Sequence, residues 1–240
     1  MVTGLFGGKK KTILEKYENR IDELKKTNFE EKEAFEILIS ELSQKGKFGE
    51  SIELMNEVYD FNNPYQLFNK AVTLEQWGMS LSDMNIIDES MACFLKIIEM
   101  EPRSVQAFYK LGRIQTDIAS PDFKNNGNRL EMFRSGRNCF ETIMTLENQS
   151  TGFFHLAFVF RWFNMYQHYA LLHNSTFTHD SADAAIKESN ELKMSLENDV
   201  EGIRKILERV LQKESPQKIP ELAAYLQKNS EKIISTLHPN

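Results

Sequence analysis

The sequence predicts an all-α protein built from stacked helical hairpins, on three observations. Apolar residues recur at spacings of three and four along most of the chain. Glycine and proline are sparse, 11 and 6 of 240 residues, and no run alternates Val, Ile and Thr as a half-buried strand would. One pattern also occurs twice: Met91–Pro102, MACFLKIIEMEP, superposes on Arg137–Asn148, RNCFETIMTLEN, with Cys93 on Cys139, Phe94 on Phe140 and Ile97 on Ile143. Between the copies, Ser104–Ile118, SVQAFYKLGRIQTDI, reads as a short amphipathic helix. Such recurrence implies units that bury their apolar faces against their neighbours.

Taken in order, residues 1–10 form a basic tail. GGKKKT is not a phosphate loop, because Lys10 follows Gly8-Lys9 where Ser or Thr is required and no strand precedes it. No apolar run follows the basic cluster, so no secretory signal is expected and the location expected is cytoplasmic. Residues 11–28 form an N-terminal capping helix with a narrow stripe of Ile13, Tyr17, Ile21 and Leu24. That stripe either covers the first face of the stack or pairs with a second copy of the chain.

The repeat domain is expected over residues 29–174, divided near 32–64, 62–103, 105–149 and 150–174. Its first copy places Phe35, Leu38, Ile39 and Leu42 on one helix, Gly46 at the turn, and Ser51, Met55 and Val58 on the next, ending near Asn63. The second has Tyr65, Phe68 and Asn69, then Ser90, Phe94, Ile97 and Pro102. The third has Phe108, Leu111 and Gly112, then Gly136, Phe140, Ile143 and Asn148. In this ordering the chain resembles the tetratricopeptide repeat family, with bulky, Leu-Gly, small, Phe and Pro positions in sequence.

The resemblance implies a right-handed superhelical stack of two-helix units. Gly112 and Gly136 would let the helices of one hairpin approach closely, with Phe108 and Phe140 beside the crossing. Ile39, at the place of the small residue, implies a wider crossing in the first copy. The second and third copies exceed the standard unit by about nine and about twelve residues, the latter within Ala119–Asn128. Both excesses are expected to project as loops from one rim of the stack.

A degenerate fourth copy begins with Phe153, Leu156, Ala157 and Phe160, inside the aromatic run Gly152–Leu172. Arg161, Asn164, Gln167 and two histidines interrupt that run, so a buried helix rather than a membrane span is expected. Residues 175–240 form a C-terminal helical extension. Its long charged helix carries Ile186, Leu192, Leu196, Val200, Ile203, Leu207 and Val210, with Gly202 as its weakest point. KESPQKI then breaks the chain, and Pro220 opens a last helix.

The chemistry-bearing residues point away from catalysis. A net charge of −6 supplies no basic face for nucleic acid. The two cysteines fall on different hairpins and read as free thiols. His173, His179, Asp180 and Asp183 straddle a polar turn without the spacing that fixes metal ligands on one helical face. No nucleophile motif is present, so neither an enzyme nor a cofactor is expected.

What the resemblance implies instead is a protein or peptide partner held along the concave face. The matching positions are Glu33, Glu36, Ser40 and Gln44, then Gln66, Lys70 and Thr73, then Gln106, Tyr109, Arg113 and Thr116, then Phe154, Phe158, Arg161 and Trp162. Tyr109, Arg113, Arg161 and Trp162 combine guanidinium groups with aromatic rings and would suit a segment bearing Asp or Glu beside a bulky apolar residue. The chaperone-binding members clamp a carboxylate with Lys, Asn and Arg; here Glu33, Ile37, Leu67 and Gln106 stand at those places and Lys110 alone matches. The alternatives are self-association through the terminal helices, giving a homodimer, and a ligand pocket around His155, Arg161, Trp162 and His168.

Overall fold

The computed structural model describes residues 12–27, 29–123, 127–175 and 179–211. The basic tail and the helix expected after Pro220 lie outside the described residues. Nine helices are found among the described residues, and no strand. The fold is all-α.

By internal packing the chain divides into two compact units, Met1–Met100 and Glu101–Asn240. The division falls between the second and third copies of the pattern. The first unit holds α1 (Ile13–Lys26), α2 (Glu31–Gln44), α3 (Phe48–Val58), α4 (Pro64–Leu81) and α5 (Met84–Met100). The second holds α6 (Val105–Ala119), α7 (Arg129–Leu146), α8 (Gly152–Asn174) and α9 (His179–Leu211).

Local chemistry starts and stops these helices where the sequence requires. Thr12 and Glu15 close a capping box on α1, the Thr12 hydroxyl accepting from Glu15 N at 3.2 Å and the Glu15 carboxylate from Thr12 N at 2.9 Å. Asn63 caps α4, whose first residue is Pro64, and Thr151 caps α8. Gly46, at φ 71°, makes the left-handed turn from α2 to α3 that a side chain would strain.

In the first unit α1 buries Ile13, Ile21 and Leu24 against a core of Ala34, Leu38, Ile39, Leu42, Ile52, Leu54 and Met55. The stripe is therefore covered from within the chain. Tyr17 donates to Glu50, and Arg20 pairs with Glu41, which ties α1 to both helices of the first pair.

The second pair differs from expectation in two ways. The extra residues lie in the helices themselves: α4 and α5 run 18 and 17 residues and are joined by Ser82-Asp83 rather than by a projecting loop. The register of α4 is also shifted. Leu67, Ala71, Leu74 and Gly78 are buried, whereas Tyr65 is 66% exposed and Phe68 and Asn69 are only partly covered. Ser90 donates to Ala71 O at 2.8 Å, so Ala71 rather than Asn69 stands at the crossing with α5.

In the second unit α6 and α7 meet as the sequence predicts. A Cβ at Gly112 would lie 3.0 Å from Cys139 Cβ and Phe140 Cε1 and 3.1 Å from Gly136 O. One at Gly136 would lie 3.0 Å from Gly112 O and from Thr116 Oγ1. Thr116 donates to Gly112 O at 2.8 Å and accepts from Asn164 Nδ2 of α8 at 2.8 Å, which satisfies the hydroxyl and the amide nitrogen buried at the crossing. Of the stretch between these helices, the described residues 120–123 and 127–128 belong to neither helix.

α8 is buried as expected, with Leu156, Ala157, Val159, Phe160, Trp162 and Met165 in the core. Helix α9 lies on α8 and buries Ala185, Leu192, Leu196, Ile203 and Ile206. Ile186, expected in that stripe, is 59% exposed because Ala185 takes the inward place. Gly202 is a seat: a Cβ there would stand 3.0 Å from the Phe158 ring. Among the described residues no helix is long and apolar enough to cross a membrane.

Gly136→Ala tests the crossing. Helix propensity alone would raise stability by about 1 kcal/mol. Overpacking at the contacts above costs about 1–3 kcal/mol, so thermal unfolding followed by circular dichroism should show a lower Tm. A raised Tm would mean that the helices do not approach this closely.

Candidate functional site

The first helices of the two pairs in the Met1–Met100 unit, α2 and α4, leave a groove of about 910 Å³ between them. From α2 it is lined by Glu36, Ile37, Ile39, Ser40, Glu41, Ser43 and Gln44, and from α4 by Tyr65, Phe68, Asn69, Val72, Thr73 and Gln76. Met55 and Tyr59 contribute from α3 and its C-terminal end. On α4 the spacing from Tyr65 to Gln76 spans roughly 16 Å at 1.5 Å per residue, the length of about five residues of extended chain.

The groove is outlined by hydrogen bonds that keep its polar groups in place. Tyr59 donates to Glu36 Oε2 at 2.7 Å. Burial, and then the Glu36 contact, push the Tyr59 hydroxyl well above its ordinary pKa, so it remains a donor at neutral pH. Thr73 donates to Asn69 O at 3.0 Å, along α4.

The residues expected to line a concave face are distributed unevenly. Glu36, Ser40, Gln44 and Thr73 line the groove, and Glu33 is exposed outside it. Gln66 is buried and accepts from Asp60 N at 2.8 Å. Lys70 Nζ lies 3.1 Å from Glu89 of α5 and 4.8 Å from the centre of the Phe61 ring, in the turn before α4. Tyr65 and Phe68 were missed as groove residues because bulk suggested core, and Val72 was not singled out. The stripe Leu67, Ala71, Leu74 and Gly78, at helical spacing, was the signal that could have found them.

In the second unit Gln106 is exposed, but the aromatic anchors are not surface groups. Tyr109 is 2% exposed, edge-on to Phe153 and Phe160, and Trp162 is 2% exposed with Nε1 donating to Leu196 O at 3.2 Å. Both are core side chains. The Arg113 guanidinium lies 5.5 Å from the Phe160 ring centre and 3.8 Å from Asp117. Arg161 bridges Glu141 at 2.9 Å and Asp199 at 2.6 Å, which fastens α8 to α7 and α9. Phe158 rests on Gly202. These side chains therefore hold four helices, α6 to α9, together and do not converge on one groove.

A smaller cleft of about 420 Å³ lies among α7, α8 and α9, lined by Arg137, Glu141, Arg161, Lys187, Glu188 and Glu191 among others. Beside it His168 is wholly buried, stacked on Phe133 at 5.5 Å with its Nε2 3.6 Å from Glu188. Arg134 grips Glu188 through Nε at 2.9 Å and a terminal nitrogen at 2.6 Å, and these hydrogen bonds hold the carboxylate below its usual range. The ligand pocket considered around His155, Arg161, Trp162 and His168 is not assembled, since Trp162 and His168 are core and Arg161 is ion-paired.

Both thiols are free, and burial raises them: Cys139 is pushed up to about 12, and Cys93 also lies above its ordinary value. Neither supplies a thiolate at neutral pH. Among the described residues no group of three His, Cys, Asp or Glu could hold a metal ion.

His168 makes a pH prediction. Desolvation chiefly, with Arg137 and Arg134 adding to it against Glu188, lowers it from 6.5 to about 4. A depressed histidine contributes stability that is full above the unfolded pKa and falls as pH drops from 6.5 towards 4. Between pH 7 and 5 the wild-type chain should lose roughly 2 kcal/mol through this group, and His168→Leu should lose distinctly less in denaturant titrations. Equal losses would mean that His168 is not buried neutral.

Comparison with protein-family models, with curated proteins and with solved structures finds no match to the chain.

Proposed function

We propose that the chain is a non-enzymatic helical scaffold that holds a segment of another protein in the groove between α2 and α4, and that its helix pairs stack in the manner of tetratricopeptide repeats. The observation that carries this reading is the groove itself. It is lined from both α2 and α4, it is the larger of the two clefts described, and it presents the aromatic side chains of Tyr59, Tyr65 and Phe68 with amide and hydroxyl groups in the same lining. Tyr65, two-thirds exposed, has the exposed aromatic surface from which interface anchors are drawn.

The chemistry elsewhere supports a binding role. Arg161, Arg134 and Glu188 are engaged in ion pairs that fasten helices, and the thiols are raised. The matching helix-pair pattern in the sequence, with small residues at the crossings, supports the stacked arrangement.

The test is a selection of displayed random peptides on the full-length chain, repeated on Tyr65→Ala. Because Tyr65 is exposed, the variant should keep its Tm, while selected peptides should bind it at least about tenfold more weakly, 1.4 kcal/mol. Selection of nothing above background, or of peptides indifferent to Tyr65, would count against the groove.

A further inference from the structure

The groove has a sign. Its described lining includes two carboxylates, Glu36 and Glu41, and no Lys or Arg. Glu41 is neutralised by Arg20, whose Nε lies at 3.3 Å, and by Lys45 at 3.7 Å. No Lys, Arg or His of the described residues forms an ion pair with Glu36; its partner is the Tyr59 hydroxyl. Lys70, next in sequence to Asn69, is drawn away to Glu89 and the Phe61 ring.

One hydrogen bond leaves a carboxylate with most of its acceptor capacity. The Tyr59 hydroxyl fixes where that capacity is presented, so a partner meets it with little ordering left to do. Tyr59, which bonds the carboxylate, and Tyr65 and Phe68, which line the same groove, carry aromatic rings, whose faces attract cations. A carboxylate in a groove lined by tyrosine and phenylalanine rings recognises an ammonium or guanidinium group, and it repels an acidic one. Ile37 and Val72, also in the lining, offer apolar surface beside it.

Resting on the reading of the groove as a segment-binding site, we infer that its partner is a basic-apolar segment of another protein, a Lys or Arg meeting Glu36 and the neighbouring rings with an aliphatic or aromatic residue next to it. This is opposite in charge to the acidic segment expected from the sequence. That expectation drew on Arg113 and Arg161, which belong to the other unit, where Arg161 is already held by two carboxylates.

The experiment reads the charge bias of peptides selected on the full-length wild type and on Glu36→Gln, with Tyr65→Ala as the control for the site. On the wild type, Lys and Arg together should be enriched about threefold at one position over the starting library, and changing that residue to Glu should weaken binding at least about tenfold. On Glu36→Gln the enrichment should disappear while dependence on Tyr65 persists. Peptides that require Tyr65 but carry Asp or Glu, or no charge bias, overturn the charge assignment and leave the groove reading standing. Peptides indifferent to Tyr65 overturn both.

Discussion

Two helices can pack backbone to backbone only where neither puts bulk at the crossing, and the fold depends on that constraint most at the α4–α5 and α6–α7 pairs. Gly112 and Gly136 meet it most fully: an added Cβ on either would stand about 3.0 Å from atoms of the other helix. Ser90 meets it at Ala71, with a hydroxyl to carbonyl bond of 2.8 Å, and Ser51 at Ile39 with a longer one of 3.3 Å. The longer bond sits where the crossing carries an isoleucine. Once each pair is locked along one face, the other face of its first helix is left to other uses.

In the first unit that outer face becomes the groove, because the side chains facing outward on α2 and α4 are a mixture of aromatic, amide and carboxylate groups. In the second unit the corresponding surfaces are closed by packing. Phe153 and Phe160 cover Tyr109, while Arg161 fastens α8 to both neighbours. The same kind of helix pair thus yields an open surface in one unit and a closed core in the other, and the difference lies in what α8 and α9 add.

Periodicity made the helices, the Gly46 turn, the α1 stripe and the Gly112–Gly136 crossing legible, since each is set by residues close in sequence or by a small residue with one possible role. The register of α4 was not. Tyr65 and Phe68 are large and apolar, and size was taken for burial, yet the crossing selects for smallness and therefore for Ala71. The extra length of the second pair was equally ambiguous, because sequence spacing does not separate a loop from two longer helices. Trp162 and Tyr109 show the converse: a residue type common at interfaces is as common in cores, and only the helices packed over it decide.

The central claim is that a segment of another protein seats between α2 and α4. Amide chemical-shift mapping on the isotope-labelled full-length chain, titrated with a peptide selected on it, tests this most directly. Shifts concentrated on Glu36 to Gln44 and Tyr65 to Gln76, the stretches that line the groove, are the expected result. Shifts concentrated on the cleft residues of α7, α8 and α9, with those two stretches unmoved, would contradict it.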